Sequence, residues 1–290
     1  MDQDDYPGLY AAADEASNEA QRHLLTSHKA NGILLVAGAA AALVSTMTAW
    51  VALVSAVLFL GSLAVYLWAQ HLRFQDHWYQ ARALAESIKT ATWRLVIGAE
   101  PFAGPDQDVN LRAFRALLEE LLQENRGIGL QLAGDWADRE QVTSRMRAIL
   151  NSSFEERRQL YLTDRIRNQR GWYTRRAKEN RAASRKFLTW IVALYGLAIV
   201  LLLVRIAAPA AHPLPIEVLA VIAGSLIGWK QLRRFDELAS AYGLTAHEVG
   251  IIESRFDAVD SDSSLSSFVS DAENAFSREH TQWAARRDHR

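Results

Sequence analysis

From Asn31 to Gln70 the chain runs without a single charged residue: NGILLVAGAAAALVSTMTAWVALVSAVLFLGSLAVYLWAQ. A helix needs about 20 apolar residues to cross the hydrocarbon core of a bilayer, so a stretch of this length predicts two spans and a minimal turn. The polar cluster Ser45, Thr46 and Thr48 marks the turn, with spans over about 31–48 and 50–70. A hairpin in a soluble core would break its apolar stripe with charges every few residues. A central Lys or Arg costs an inserting helix about 3 kcal/mol, and this stretch holds none. The membrane reading takes precedence.

A second hairpin follows. FLTWIVALYGLAIVLLLV runs up to Arg205, and LPIEVLAVIAGSLIGW ends at Trp229. The connection RIAAPAAHPLP carries three prolines, none of which can continue a helix, so it reads as the turn. These spans cover about 187–205 and 214–230. Arg205 and Glu217 lie at the same end of the hairpin, where long charged side chains snorkel to the interface; a functional ion pair is the competing reading. The expected fold is all-α: an integral membrane protein with four transmembrane helices as two hairpins and long cytoplasmic helical extensions. Residues 1–135 form the first two-span module and 136–290 the second.

Between the hairpins lies ERRQLYLTDRIRNQRGWYTRRAKENRAASRK, a run crowded with arginine and scattered with aromatics. Such a run is a first sketch of a nucleic-acid surface. The whole chain argues otherwise, with a formal net charge of −1 and a pI near 6.7. Cytoplasmic flanks of membrane spans carry excess Lys and Arg. Arg175, Arg176, Lys178, Arg181, Arg185, Lys186, Lys230, Arg233 and Arg234 flank the second hairpin, whereas its turn carries Arg205 alone. Arg22, Lys29, Arg73 and Arg82 flank the first, and its turn has no basic residue. Arg175, Arg176, Arg185, Lys186, Lys230, Arg233 and Arg234 therefore read as topology determinants, with both termini in the cytoplasm. Trp68, Trp190 and Trp229 at the inner ends and Trp50 near the outer turn suit an aromatic belt.

No cysteine is present, so disulfides, thiolate metal sites and a cysteine nucleophile are excluded. The eight histidines show no HExxH spacing, and RGIGLQLAGD fits no phosphate-cradling template. The acidic start MDQDDYPGLY lacks the pattern of a signal peptide. The sequon at Asn151–Ser153 falls on the cytoplasmic side and reads as a chance match.

The remaining chain reads as helical. Residues 8–29 lead into the first span, and the second continues through HLRFQDHWYQARALAESIKTATWRLVIGA to Gly98. Leu111, Phe114, Leu117, Leu118, Leu121 and Leu122 form one stripe of a helix near 109–125. Further helices begin near Thr143 and Ser153, the latter running on into the third span, with Leu162, Ile166, Tyr173 and Ala177 facing a partner. Gly243 stops the helix after the fourth span, and Thr245 with Glu248 offers a capping box for a new one. QHLRF at 70–74 and KQLRRF at 230–235 follow the two hairpins, a rough repeat that suggests duplication of a two-span unit.

Four segments in order carry a resemblance: YPGLYAAADEASNEAQ, WYQARALAESIKTATW, ERRQLYLTDRIRNQRGWYTRRAKEN and REHTQWAARR. They resemble the SLATT family, the SMODS- and SLOG-associating two-transmembrane effectors of bacteria, as two modules fused over nearly the whole chain. The resemblance implies a membrane-perturbing or pore-forming effector in antiphage conflict systems, seated in the bacterial inner membrane. It also implies triggering by a nucleotide signal or by a sensor protein partner. It brings no catalytic residue, no cofactor and no metal.

The leading expectation is thus an oligomeric membrane effector, not an enzyme, with the lipid bilayer and copies of itself as partners. Ala220, Gly224 and Gly228 form a small-residue face for helix packing, with Gly38 and Ala42 as a weaker copy. Ser55 and Ser62 are candidates to line a pore, with Ser45, Thr46 and Thr48 at its outer mouth. A transporter would place charges or broken helices at mid-membrane, and no span does so. A non-conducting scaffold that recruits a cytoplasmic partner is the alternative. The topology is checked by cysteine labelling. With Thr48→Cys and Thr174→Cys introduced singly, only the former is expected to react with an impermeant thiol reagent outside intact cells. Labelling at position 174 would refute the orientation.

Overall fold

The computed structural model describes residues 1–44, 48–132, 134, 136–208 and 214–285, with side chains described as far as 276. Ser45, Thr46, Ala133, Asp135 and residues 209–213, which include most of the second turn, lie outside the described residues, as does the end of the last motif. The elements are all helical: α1 (Gly8–Val44), α2 (Ala49–His71), α3 (Phe74–Ile97), α4 (Gln107–Glu124), α5 (Ser144–Leu150), α6 (Phe154–Leu160), a π-helical segment (Tyr161–Arg167), α7 (Asn168–Ala207), α8 (Ile216–Arg233), α9 (Phe235–Glu253) and α10 (Asp262–Ala285). Among the described residues there is no strand.

Local chemistry sets the starts of these helices. The Asp106 side chain accepts from the backbone N–H groups of Asp108 and Val109, opening α4. Thr143 accepts from Met146 to open α5, and Ser153 with Glu156 forms a reciprocal capping box at α6. On α4 the expected stripe buries Phe114 and Leu118, but Leu122 at its edge is exposed.

Two expected boundaries are corrected. The helix after the second hairpin does not stop at Gly243: α9 runs through to Glu253 with Thr245 buried inside it. A helix-interior glycine costs about 1 kcal/mol relative to alanine. Full burial of Val249, with Tyr242 packed edge-on against Trp172, offsets that cost. Nor does the second apolar helix continue unbroken to Gly98. It ends at His71, and Arg73 takes a left-handed φ of 48° before α3 begins at Phe74.

The same corner occurs after the other hairpin, where Arg234 has φ 47° and Phe235 opens α9. In each case the phenylalanine after the corner stacks on a ring from the first helix of its hairpin. Phe74 lies 5.2 Å from His23 and Phe235 lies 5.4 Å from Phe187. The QHLRF and KQLRRF segments thus build one corner twice.

The chain divides into two compact units. One gathers Met1–Gln21, Gln75–Arg176 and Ala241–Arg290 around a core that includes Leu84, Ile88, Trp93, Phe114, Tyr161 and Val269. The other comprises Arg22–Phe74 and Ala177–Ser240, which hold both charge-poor hairpins. Among the described residues three helical runs are long and apolar enough to cross a membrane: Gly8–Val44, Ala49–Ile97 and Phe154–Ala207. Helix α8 is shorter, and its 18 residues include Glu217, Lys230 and Arg233.

A left-handed backbone costs a residue with a Cβ about 1–2 kcal/mol, and glycine avoids it. Replacing Arg73 by Gly and by Ala removes the same side-chain contacts in both variants. Arg73→Gly is therefore expected to be more stable than Arg73→Ala by about 1 kcal/mol in thermal unfolding of the detergent-solubilised chain. Equal stabilities would show that the corner is not strained.

Candidate functional site

Most of the surface of the three apolar runs is uncovered. Trp50, Leu53, Leu60 and Leu63 on α2 and Val192, Ile199 and Leu203 on α7 are all exposed. In water such surface would drive aggregation, whereas in a bilayer it meets its own solvent.

Where the hairpin helices touch, small and hydroxyl residues make the contact. A Cβ built at Gly38 would meet the ring of Phe59 at 3.2–3.3 Å, so glycine there lets the aromatic seat against α1. Ser55 donates to the Gly38 carbonyl at 2.8 Å, and Ser62 donates to Asn31 Oδ1 at 2.7 Å. These serines are the buried residues of α2, and both point at α1 with their hydroxyls engaged inside the hairpin. Ala42 and Thr48 are exposed; Thr48 accepts the first turn of α2 on its carbonyl.

Helix α8 meets α1 through its other face. A Cβ built at Gly32 would meet Ser225 at an ordinary contact distance of 3.7 Å, Ala223 is fully buried, and the Lys29 ammonium lies 5.4 Å from the Trp229 ring centre. Ala220, Gly224 and Gly228 are all exposed, with open space around both glycines. Among the described residues nothing occupies the small-residue face. Arg205 and Glu217 form an exposed ion pair at 3.3 Å between the ends of α7 and α8. An exposed pair of this kind contributes about 0–1 kcal/mol.

The other unit contains a buried charge pair that sequence reasoning missed. Glu273 of α10 is fully buried and receives four hydrogen bonds. Oε1 accepts from Tyr161 Oη at 2.9 Å and from Arg165 Nε at 2.8 Å. Oε2 accepts from Thr90 Oγ1 at 2.9 Å and from an Arg165 terminal nitrogen at 2.6 Å. Arg165 is itself buried and lies over the ring of Phe276 at 4.7 Å. Burial disfavours its charge, but the Glu273 carboxylate beside it holds the guanidinium above the usual arginine range.

Tyr161 and Arg165 both come from the π-helical segment, where a spacing of four residues turns the two side chains towards the one carboxylate. Nearby, Trp93 donates its indole N–H to the Tyr6 hydroxyl at 2.9 Å, and burial pushes that phenol up to about 12. A signal was present in the sequence. Glu273 sits in the apolar stripe of α10, beside Ala272 and four residues after Val269, and Arg165 lies between Leu162 and Ile166.

The arginine run divides along its length. Its first half is spent inside the chain: Arg157 donates to the Ile97 carbonyl and Asp262, and Arg167 and Arg170 share Glu253. Arg157 also closes on Gly98, whose φ of 77° calls for glycine and where a Cβ would meet the guanidinium at 2.9 Å. Among the expected topology determinants, Arg175 and Arg185 are exposed, as is Lys186. Arg176 lies over Trp172 and Arg233 over Phe235, Lys230 pairs with Asp236, and Arg234 pairs with Glu237.

Two charge-poor helical hairpins, each closed by the same arginine–phenylalanine corner, describe a duplicated two-span membrane module. Family models match in that arrangement: the SMODS and SLOG-associating 2TM effector domain 3 over residues 7–158, and domain 1 of the same series over residues 161–283. The chain belongs to the SLATT family. It carries two SLATT domains fused in one polypeptide. No curated protein matches it. No solved structure matches it either. As SLATT domains are two-transmembrane effector domains, a membrane effector role follows for the chain.

Removing one member of a buried pair leaves an uncompensated charge and costs about 3–5 kcal/mol. Glu273→Gln is therefore expected to lower the unfolding free energy of the solubilised chain by that amount. The apolar double replacement Arg165→Met with Glu273→Leu should recover part of the loss. A neutral Glu273→Gln variant would show that the pair is not needed for the fold.

Proposed function

We propose that this SLATT protein is an effector of a bacterial conflict system that acts on the inner membrane. In this reading all four apolar helices cross the bilayer as two hairpins, with both termini and the helical body in the cytoplasm. Copies associate, and a nucleotide signal or a partner protein triggers a pore or a local disordering of the bilayer. Helix α8 runs about 27 Å at 1.5 Å per residue, but the uncharged stretch between Glu217 and Lys230 is only about 20 Å, short of the roughly 30 Å hydrocarbon core. Glu217 and Lys230 lie at its two ends, where charged heads reach the interface.

The observation that carries the reading is the open face of Ala220, Gly224 and Gly228 on α8. Helices in lipid associate by close backbone approach over small residues, and among the described residues nothing occupies this face. Ser55 and Ser62, turned towards α1, support a seam that stays closed until the hairpins rearrange. A pore lined by these serines would need α2 to exchange its contacts with α1 for contacts around a channel.

Gly224→Ile and Gly228→Ile place branched side chains on the face while adding apolar bulk that the bilayer tolerates. Each is expected to insert normally, to lower the yield of crosslinked oligomers in membranes, and to lose activity. Activity is read as depolarisation of the inner membrane by a potential-sensitive dye, before viability falls, on triggering or strong overproduction. A chain lacking residues 187–229 should not depolarise. A normal potential with the triggered chain present in the membrane would favour a non-conducting scaffold that recruits a cytoplasmic partner.

A further inference from the structure

Eight positions on α7 fall on one stripe: Lys178, Arg181, Arg185, Leu188, Val192, Tyr195, Ile199 and Leu203. Their spacings of three and four residues keep them within about 100° of arc. The five apolar members are each at least 45% exposed, and the three basic ones are exposed as well. Lys186, about 100° round the helix from Arg185 and off the stripe, is also exposed. The stripe changes from cationic to apolar between Arg185 and Leu188.

Three other basic residues near the hairpins have carboxylate partners: Lys230 with Asp236, Arg234 with Glu237 and Arg205 with Glu217. Asp236 also accepts from Ser184 on α7 and so is fully engaged. Among the described residues Lys178, Arg181, Arg185 and Lys186 make no ion pair, neither with one another's neighbours on α7 nor with α8 or α9. Four positive charges are thus left without counter-charge at the mouth of an apolar helix.

We propose that this stripe is a binding surface for anionic phospholipid, with headgroup phosphates of the cytoplasmic leaflet as the missing counter-charges. The inference rests on the reading that α7 crosses the membrane with its N-terminal side inside. Arg185 precedes Leu188 by about 4.5 Å along the axis and Arg181 by about 10 Å. The polar layer on each side of a bilayer is about 5–7 Å deep, so Arg185 and Lys186 lie within it, and Arg181 lies a few Å beyond, within reach of its long side chain. Lys178 is further out but still within about one Debye length, so it adds to the field. Acyl chains from the same lipids cover the Leu188–Leu203 face directly beyond. A seam between copies does not fit this stripe, because a parallel assembly would set its three cations in one copy against those of the next. Recognition of anionic lipid would make the effector respond to leaflet composition as well as to its trigger.

The test uses the full chain in neutral detergent and a fluorescent short-chain phosphatidylglycerol, with phosphatidylcholine as reference. The wild type should prefer the anionic lipid by tenfold or more, and raising salt from about 0.1 to 0.5 M should erase the preference. Each charge near an anionic surface is worth about a fivefold change in affinity, so Arg181→Gln/Arg185→Gln/Lys186→Gln should abolish it. The charge-retaining Arg181→Lys/Arg185→Lys/Lys186→Arg should keep it. Absence of a preference in the wild type, or its survival in the neutral triple variant, would overturn the proposal. Displacement of the lipid by inorganic phosphate at matched ionic strength would assign the stripe to a soluble anion and overturn it as well. A neutral variant that keeps the preference but loses oligomers would assign the stripe to a seam between copies, with the same consequence. Carbonate extraction of membranes reports insertion separately: a chain that fails to insert refutes the membrane reading, whereas an inserted chain without lipid preference refutes only the stripe.

Discussion

The carboxylate of Glu273 is the fixed point of the helical body. Four donors from two other segments converge on its two oxygens, so its charge is fully compensated although no water reaches it. The geometry constrains more than one helix. Arg165 and Tyr161, four residues apart, reach one carboxylate from a π-helical segment, a rare backbone in folded proteins. Trp93 and Phe268 then pack edge-on against the Tyr161 ring, extending the same arrangement into the apolar core. An apolar core of similar volume would be no less stable. What the ion pair adds is a single permitted register between α10 and the π segment, since a shift of one residue in either would separate the charges.

Much of the fold was legible because the membrane imposes a coarse rule on sequence. Charge is excluded over long stretches, and no soluble helix keeps that pattern from Asn31 to Gln70. Caps at Thr143 and Ser153 were equally readable, since one hydroxyl and one backbone N–H decide each start. Gly243 misled because its local preference was outweighed by the burial of Val249 six residues on, and a preference of about 1 kcal/mol is easily overridden by packing. The π segment was not legible at all: its composition is that of an ordinary helix, and the carboxylate it faces lies more than 100 residues away in Glu273.

The arginine run shows the same limit in another form. Composition alone gave all its charges one meaning, the marking of a cytoplasmic flank. The structure divides them by partner. Arg157, Arg165, Arg167 and Arg170 hold helices together through carboxylates and a helix C-terminus, whereas Lys178, Arg181, Arg185 and Lys186 face outwards. The partners of the first group, Glu253, Asp262 and Glu273, all lie in the last 40 residues, so no local window could have paired them.

The duplicated corner has a consequence for how long the spans can be. Each residue added to an α-helix turns everything after it by about 100°. At Arg73 and Arg234 the helix stops in a left-handed step, and the next ring is fixed by a stack on His23 or Phe187. An insertion within α2 or α8 would therefore not pass smoothly along the chain as a rotation; it would pull Phe74 or Phe235 off its ring. The corners act as register stops, so the two hairpins can vary in side chain while their lengths remain locked to the aromatic that closes each of them.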